Sequence, residues 1–289
     1  MHFVQARSIL SAQNGMNLYR GCMHGCIYCD SRSCVYGMTH AFEDIEVKAN
    51  APELLEQALR RKREKCMIGT GSMCDPYMPC EAELGLTRRC LEIIADHGFG
   101  AAVLTKSDLV LRDLDLLQRI NRQAKCVVQM TLTTADEALC RILEPGVCST
   151  ARRIEVLCAL RDAGIPTVVW LSPFLPFIND TEDNLRALLD ACILARVHGV
   201  VCFGIGMTLR EGNREYFYQA LDRHFPGLKQ RYCETYGSAY EIVSPNHDAL
   251  IPLLHAACEE HGILHTPEDV FRYLQTFSSP ESYEQLRLF

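Results

Sequence analysis

Three cysteines near the start of the chain have the spacing of a metal-binding loop. Cys22, Cys26 and Cys29 follow a C-x3-C-x2-C pattern. Gly21, before the first cysteine, and Gly25, before the second, allow tight backbone turns, so that the three thiolates can converge. Thiolate ligands select zinc or an iron–sulfur cluster. An ordinary [4Fe–4S] cluster takes four cysteines, so three from one loop leave one iron with an open position. A small molecule with an amine and a carboxylate can chelate that iron.

A protein without catalytic activity is a second interpretation of the same loop. Cys34 lies five residues after Cys29 and could be the fourth ligand of a structural zinc or iron–sulfur site. This spacing within one unbroken loop differs, however, from the paired C-x2-C motifs of structural zinc sites. Substitution of Cys34 separates the two interpretations, because only the noncatalytic site requires its thiolate.

The composition indicates a compact cytoplasmic protein. A chain of 289 residues can bury about 75% of its unfolded surface, so its 16 cysteines are not needed as disulfide staples. The chain begins without a basic segment followed by an apolar core, and it has no run of about 18 apolar residues. We therefore expect reduced thiols in the cytoplasm and no association with a membrane. The net charge of −7 argues against sequence-independent binding of nucleic acid.

Six short apolar segments alternate with amphipathic segments over residues 1–224. Nearly continuous apolar character is typical of parallel strands that helices cover. Six strand–helix units are too few for a closed eight-stranded barrel, so the sequence predicts an α/β fold with a partial (β/α)6 TIM-like barrel. Residues 225–289 break the alternation and predict a helical C-terminal extension packed on the barrel. The predicted strands are Met16–Arg20, Cys66–Gly71, Ala101–Thr105, Cys126–Leu132, Thr167–Ser172 and Val200–Gly206. The predicted helices are Pro52–Lys65, Thr87–His97, Asp113–Arg122, Ala135–Leu143, a helix capped by Ser149 or Thr150 that stops at Gly164, a helix capped by Asp180 or Thr181 that stops at Gly199, Glu211–His224, Leu228–Thr235, Asp248–His261 and Pro267–Thr276.

Polar residues and glycines follow several of these strands. In a βα barrel the chemistry lies at the carboxyl ends of the strands, so these residues are candidates for one site. Each also has a structural explanation, as part of a turn, a helix cap or a strand. The candidates are Ser72, Cys74 and Asp75 after the second strand, Lys106 after the third, Thr131 at the end of the fourth and Gly204 at the end of the sixth.

The cysteine loop, with an aromatic residue before its last cysteine, resembles the hallmark of radical SAM enzymes. The segments NLYRGCMHGCIYCD, CDPYMP and LTKSD resemble the spore photoproduct lyase branch of that superfamily. The resemblance implies a radical SAM barrel whose [4Fe–4S] cluster is held by Cys22, Cys26 and Cys29, with S-adenosylmethionine (SAM) on the open iron. Reductive cleavage of SAM would give a 5′-deoxyadenosyl radical that abstracts hydrogen from a substrate. An external electron donor of the flavodoxin or ferredoxin type is implied as well.

The resemblance also distributes the contacts to SAM among the candidate residues. Glu144, in an E-P-G element, would reach a ribose hydroxyl or an arginine, and His24 within the loop could tune the cluster by hydrogen bonding. The implied contacts are Tyr28 and Gly204 near the adenine, Ser72, Cys74 and Asp75 near the amino group, Lys106 at the carboxylate and Thr131 at the ribose or carboxylate.

Cys74 and Tyr77 are the candidate catalytic residues. A thiol can return a hydrogen atom to a product radical, because its S–H bond is weaker than most C–H bonds. The lyase has its donor cysteine at the position of Ser72, so this chain departs from that pattern, and the thymine-dimer reaction does not carry over directly. The resemblance suggests a lyase or repair-type reaction. A nucleic-acid lesion, a peptide and a small metabolite all stay open as substrates, and the acidic net charge does not indicate nucleic acid.

Overall fold

A six-stranded parallel sheet forms the centre of the fold in a computed structural model that describes residues 1–279. The strands of this sheet lie side by side in the order in which they occur along the chain, as a (β/α)6 unit requires. The sheet order is β2-β5-β6-β7-β8-β9. The predicted α/β partial barrel is confirmed. The strands are, in chain order, β1 (His2–Val4), β2 (Gly15–Met16), β3 (Tyr19–Arg20), β4 (Glu46–Lys48), β5 (Met67–Thr70), β6 (Gly100–Thr105), β7 (Cys126–Thr131), β8 (Thr167–Trp170), β9 (Gly199–Val201), β10 (Gly206–Thr208) and β11 (Glu241–Val243).

Both faces of the central strands are buried, which explains their continuous apolar sequence. In β7, Val128 and Met130 pack in the main core beneath the helices. Val127, which precedes Val128 and lies on the opposite face of the strand, points into the barrel and packs with Val168 and Val201 of the next strands. All of these side chains are excluded from solvent, as expected for strands that are covered on both faces.

Helices cover the outer face of the sheet close to the predicted positions. Two end earlier than predicted, for local backbone reasons. Lys62 is extended and ends the first long helix at Arg61. Arg196 adopts a left-handed conformation with φ of 50°, and the Val197 N–H closes the helix onto the Cys192 carbonyl at 3.1 Å. The helices are α1 (Ala51–Arg61), α2 (Glu81–Leu84), α3 (Leu86–Asp96), α4 (Leu114–Gln123), α5 (Glu137–Leu143), α6 (Thr150–Asp162), α7 (Glu182–Leu194), α8 (Asn213–His224), α9 (Leu228–Tyr236), α10 (His247–Glu260) and α11 (Pro267–Gln275).

The prediction of one strand over Met16–Arg20 is wrong. The segment forms two short strands in different sheets: β2 pairs with β5, whereas β3 pairs antiparallel with β4 in a small sheet of order β1-β4-β3. Met16, Leu18 and Tyr19 are all buried, because the chain passes from one sheet to the next beneath the same core. The unbroken run of buried residues therefore has the sequence pattern of a single buried strand, although it forms two.

The described part of the C-terminal extension is mainly helical, and its last helix packs inside the barrel. Val270 and Leu274 of α11 pack against Val127 and its neighbours on the inner face of the sheet. The extension also contributes β11, which pairs antiparallel with β10 and which the sequence did not predict. Residues 280–289 of the predicted extension lie outside the described residues. Over residues 1–279, no helix is long and apolar enough to cross a membrane.

Candidate active site

One cavity of about 540 Å³ lies at the carboxyl ends of the parallel strands. The loop after β3 forms one wall, and the segments after β5, β6 and β9 form the others. Nearly all of the residues predicted for the site line this cavity, and Tyr77 and Glu144 are the exceptions. The lining includes Cys22, Cys26, Tyr28, Cys29, Ser72, Cys74, Asp75, Lys106, Thr131 and Gly204.

The sulfur atoms of the three loop cysteines are too widely separated to bind one zinc ion together. Among the described residues, their sulfur atoms do not form a group lying within 4.8 Å of one another. Sulfur ligands on a tetrahedral zinc are about 3.8 Å apart, as Zn–S bonds of about 2.3 Å require. A wider separation suits a [4Fe–4S] cluster, in which each thiolate binds a different iron.

Cys34 does not join this site. It is exposed, it does not line the cavity, and its backbone N–H donates to the Glu211 carbonyl at 3.0 Å. Its sulfur lies against Gly212, where an added Cβ would stand 3.1 Å away. The interpretation in which Cys34 supplies a fourth ligand therefore lacks a geometric basis.

Burial keeps two of the loop thiols protonated until metal arrives. It raises the pKa of Cys22 to about 11. Burial also raises the pKa of Cys26 well above its ordinary value, although the nearby Lys106 charge opposes that shift. A metal deprotonates the thiol that it coordinates, so cluster assembly must release protons at these positions.

Asp75 fixes the loop to the ends of β5 and β6. One carboxylate oxygen accepts hydrogen bonds from the Tyr77 N–H at 2.8 Å and from the Thr105 hydroxyl at 2.7 Å. The other accepts from the Lys106 N–H at 2.7 Å and lies 3.0 Å from Nε2 of His24. Burial would raise the pKa of Asp75, but His24 and these hydrogen bonds outweigh burial and lower it. His24 itself is buried.

A second buried network fixes the same loop to the end of β7. The Tyr28 hydroxyl donates to Glu144, whose other carboxylate oxygen pairs with Arg153 at 2.6 Å. Arg153 also donates to the Thr131 carbonyl at 2.8 Å. Glu144 therefore contacts an arginine, one of the two partners expected for it. Tyr28 and Thr131, both lining the cavity, are positioned through one fully buried ion pair.

Gly146 provides the space in which the loop sits. Its N–H donates to the His24 carbonyl at 2.8 Å, and its own carbonyl lies 2.9 Å from Nδ1 of that histidine. A Cβ at this position would be 2.8 Å from backbone atoms of both Met23 and His24. Glycine is therefore required by close backbone approach.

Lys106 presents a positive charge to the cavity. Burial would lower its pKa, but electrostatic interactions with Cys26 and with the carboxylates of Glu144 and Asp75 outweigh burial and raise it. Among the described residues the ammonium has no hydrogen-bond acceptor, and it lies 6.0 Å from the centre of the Tyr28 ring. The group is thus a charged donor that is free to meet an anionic ligand.

The two candidate catalytic residues have different surroundings. Cys74 lines the cavity, yet its thiol donates to the Tyr19 carbonyl at 3.1 Å, and burial raises its pKa to about 12. Tyr77 is fully buried outside the cavity lining, and its hydroxyl donates to Asp113 at 3.1 Å. This position favours packing over catalysis for Tyr77.

Several lining residues were missed by the sequence analysis. Trp170 and Phe203 form an edge-to-face aromatic pair whose ring centres are 5.8 Å apart. His247, from the start of α10, accepts a hydrogen bond from the Ile205 N–H at 3.2 Å and packs on Gly204. Trp170 ends β8 and lies near the end of the predicted strand Thr167–Ser172, which is a signal for a position at the cavity. His247 has no local signal, because the fold brings it from the extension.

The family model of the radical SAM superfamily matches residues 16–190. The chain belongs to this superfamily. An uncharacterized protein of Mycobacterium tuberculosis is 33% identical over 234 residues, which cover 76% of this chain and 66% of that protein, so the match leaves a third of the relative unaligned. The radical SAM Nalpha-GlyT isomerase of Pseudomonas phage M6 is 27% identical over 169 residues, 58% of this chain and 34% of that protein.

Among solved structures, spore photoproduct lyase complexed with a dinucleoside spore photoproduct superposes with a TM-score of 0.64. The match covers 86% of this chain and 74% of that chain at 16% identity, which shows a shared fold. Members of the superfamily use a [4Fe–4S] cluster and SAM, and these are the cofactors of this protein. The donor set fits them: three cavity-facing thiols for the cluster and an unpaired ammonium for a carboxylate.

Proposed function

We propose that this radical SAM enzyme removes a hydrogen atom from a substrate bound in the cavity and carries out a lyase or repair-type reaction. The convergence of the three cysteines with Tyr28, Asp75, Lys106 and the other lining residues on one cavity carries this proposal. When bound, the cluster and SAM supply a 5′-deoxyadenosyl radical for hydrogen abstraction. The fold shared with spore photoproduct lyase supports the lyase or repair-type class, and the sequence similarity to the phage radical SAM isomerase supports radical SAM chemistry in general.

The protein positions and shields these reactants. Lys106 offers its ammonium to the methionine carboxylate, and Asp75 holds the Lys106 backbone in place at 2.7 Å. Thr131 and Tyr28 are fixed by the buried Glu144 network and border the adenosine side of the cavity. The apolar walls exclude water, which protects a reactive intermediate from side reactions.

Cys74 is our candidate for returning a hydrogen atom to the product. With its pKa raised to about 12, its sulfur keeps the S–H bond that such a transfer needs at neutral pH. Because the Cys74 thiol is hydrogen-bonded to the Tyr19 carbonyl, the side chain must rotate toward the cavity before it can donate a hydrogen atom to the product. A Cys74→Ala variant should cleave SAM at the parental rate but form less product, or a product with hydrogen from another source.

The decisive test is formation of 5′-deoxyadenosine by the anaerobically reconstituted protein with dithionite and SAM. Cys29→Ala should lose the cluster and the product. Cys34→Ala is the matched control, since it removes an exposed thiol five residues away, and it should keep both. Absence of 5′-deoxyadenosine from protein with an intact cluster would refute the proposal. Loss of the cluster in the Cys34 variant would restore the noncatalytic interpretation.

A further inference from the structure

The loop that holds the cluster ligands has a second face, directed away from the cavity. Cys22, His24, Cys26 and Tyr28 line the cavity, whereas the intervening Gly25 and Ile27 line a separate groove of about 370 Å³. The Ile27 N–H donates to the Leu143 carbonyl at 2.9 Å, which fixes the loop to α5. The floor of this groove is therefore the backbone on either side of the ligand Cys26.

The rim of this groove is basic, although the chain as a whole has a net charge of −7. Arg141, Arg223 and His224 line it, and its lining contains no carboxylate. Both arginines are exposed, and within residues 1–279 neither forms an ion pair. Their charges are not neutralised by the protein, so they are available to an acidic partner.

Apolar side chains line the groove together with the basic ones, among them Ile27, Ala138, Ile142 and Pro145. Apolar surface combined with arginine is a common composition of protein–protein interfaces. The small size suits a transient contact, since weak electron-transfer complexes bury the least surface.

We propose that this groove is the docking surface for a small acidic one-electron carrier of the flavodoxin or ferredoxin type. The proposal rests on the proposed function, in which SAM and substrate occupy the cavity side of the loop. An electron from a protein donor must then arrive from the opposite side, across Gly25 and Ile27. The reduced carrier loses one electron, and the [4Fe–4S]2+ cluster gains it and becomes [4Fe–4S]+.

Binding of a flavodoxin of net negative charge to the reconstituted protein tests this surface directly. Arg141→Glu/Arg223→Glu should weaken binding at least tenfold in calorimetry at low ionic strength, and the parental affinity should fall with added salt. Arg63→Glu/Arg122→Glu is the matched control, because it makes the same charge change at exposed arginines near the amino ends of β5 and β7. The control should weaken binding less than threefold.

Stopped-flow measurements of cluster bleaching provide the second measurement. Reduced flavodoxin should reduce the cluster of the groove variant at least tenfold more slowly than that of the control variant, while dithionite reduces both equally. Equal affinity and equal flavodoxin rates in the two variants would overturn the docking proposal. A failure of the proposed function looks different, since dithionite would then give no 5′-deoxyadenosine although flavodoxin binding still depended on the groove.

A separate cluster in the small sheet carries a second, independent proposal. His2 of β1 and Glu46 of β4 are register partners, and His40 reaches them from the loop before β4. Each of the three residues has a ligand atom within 4.8 Å of the others. Nε2 of His40 lies 3.7 Å from the Glu46 carboxylate and is buried without a hydrogen-bond partner among the described residues.

The remaining ring nitrogens are held as in metal-binding histidines. Nδ1 of His2 lies 3.1 Å from the Asp44 carboxylate, and Nδ1 of His40 lies 3.0 Å from the Ala41 carbonyl. Oxygen acceptors at Nδ1 fix the ring and leave Nε2 as the ligand atom. We infer that His2, His40 and Glu46 bind a divalent transition metal such as zinc, for which two histidines and a glutamate are a known ligand set.

Zinc binding to the cluster-loaded protein tests this site. We expect one zinc per chain with only nitrogen and oxygen neighbours near 2.0 Å by X-ray absorption. His40→Ala should weaken zinc binding at least tenfold, and His265→Ala, which alters another partly buried histidine near a glutamate, should leave it unchanged. Sulfur at about 2.3 Å around the zinc, or equal binding by both variants, would overturn the assignment.

Discussion

Replacement of Glu144 by glutamine tests whether one buried ion pair positions the cluster loop. The carboxylate and the Arg153 guanidinium are both fully buried and 2.6 Å apart. Glutamine has nearly the same volume and can still accept the Tyr28 hydroxyl, so the packing is conserved and only the charge is lost. Arg153 then stays buried without a counter-charge.

Removal of one partner from a buried pair costs about 3–5 kcal/mol, because the remaining charge is uncompensated. In a chain of 289 residues this corresponds to a fall of about 5–8 °C in Tm. Burial would raise the pKa of Glu144, but Arg153, Lys106 and the hydrogen bonds lower it. A depressed pKa means that this stabilisation is complete above pH of about 4.3, the ordinary value for glutamate, and is lost as the pH falls below it. The difference between parent and variant should therefore shrink in acid.

Anaerobic thermal unfolding of the cluster-loaded protein, with iron content measured in parallel, is the assay. Glu182→Gln is the control, because its pair with Arg186 is exposed and should contribute no more than about 0.5 kcal/mol. Glu144→Gln/Arg153→Met removes both charges and should recover most of the lost Tm. A loss below about 1 kcal/mol for Glu144→Gln, or a double variant no more stable than the single, would refute the reasoning.

The other predictions concern the loop and the cavity. Gly146→Ala should lower iron content at least severalfold, because its Cβ would stand 2.8 Å from the His24 backbone; normal iron content would contradict that fit. Lys106→Met should raise the Kd for SAM at least tenfold with the cluster intact, whereas Lys106→Arg, which keeps the charge, should raise it less. An unchanged Kd in the methionine variant would show that Lys106 does not bind SAM. Cys74 should resist iodoacetamide at pH 8, since burial raises its pKa to about 12, while the exposed Cys34 reacts; mass spectrometry of the peptides distinguishes them.

The chemistry of the site could be predicted from the sequence because it depends on local patterns. The cysteine spacing is contained in one loop, and the apolar segments that become β5 to β9 follow each other in the sheet in chain order. Knowledge that barrel chemistry lies at the carboxyl ends of strands was then enough to place Asp75, Lys106 and Thr131 on one cavity.

Long-range contacts are the part that the sequence did not reveal. The β10–β11 pair joins residues 206–208 to residues 241–243, and nothing in either segment specifies the other. His247 reaches the cavity only because α10 begins shortly after β11, which this pairing brings beside β10. The wrong strand prediction at Met16–Arg20 has a different cause. Its residues belong to two different sheets, and a pattern of hydrophobicity along the chain does not show to which sheet a buried residue belongs.

The buried polar network gives the loop its rigidity, and this matters for how the site works. His24 and Tyr28 alternate with the cysteines and reach Asp75 and Glu144, which lie after different strands. Buried hydrogen-bonded networks of this kind restrict the loop to one conformation, since any partner left unpaired is costly. The cysteines are thus held in place by their neighbours before metal binds. It follows that loss of either the Asp75 or the Glu144 carboxylate should reduce the cluster content, although neither is a ligand. If the two carboxylates hold one rigid loop, loss of both should reduce the cluster content by more than the sum of the two single reductions.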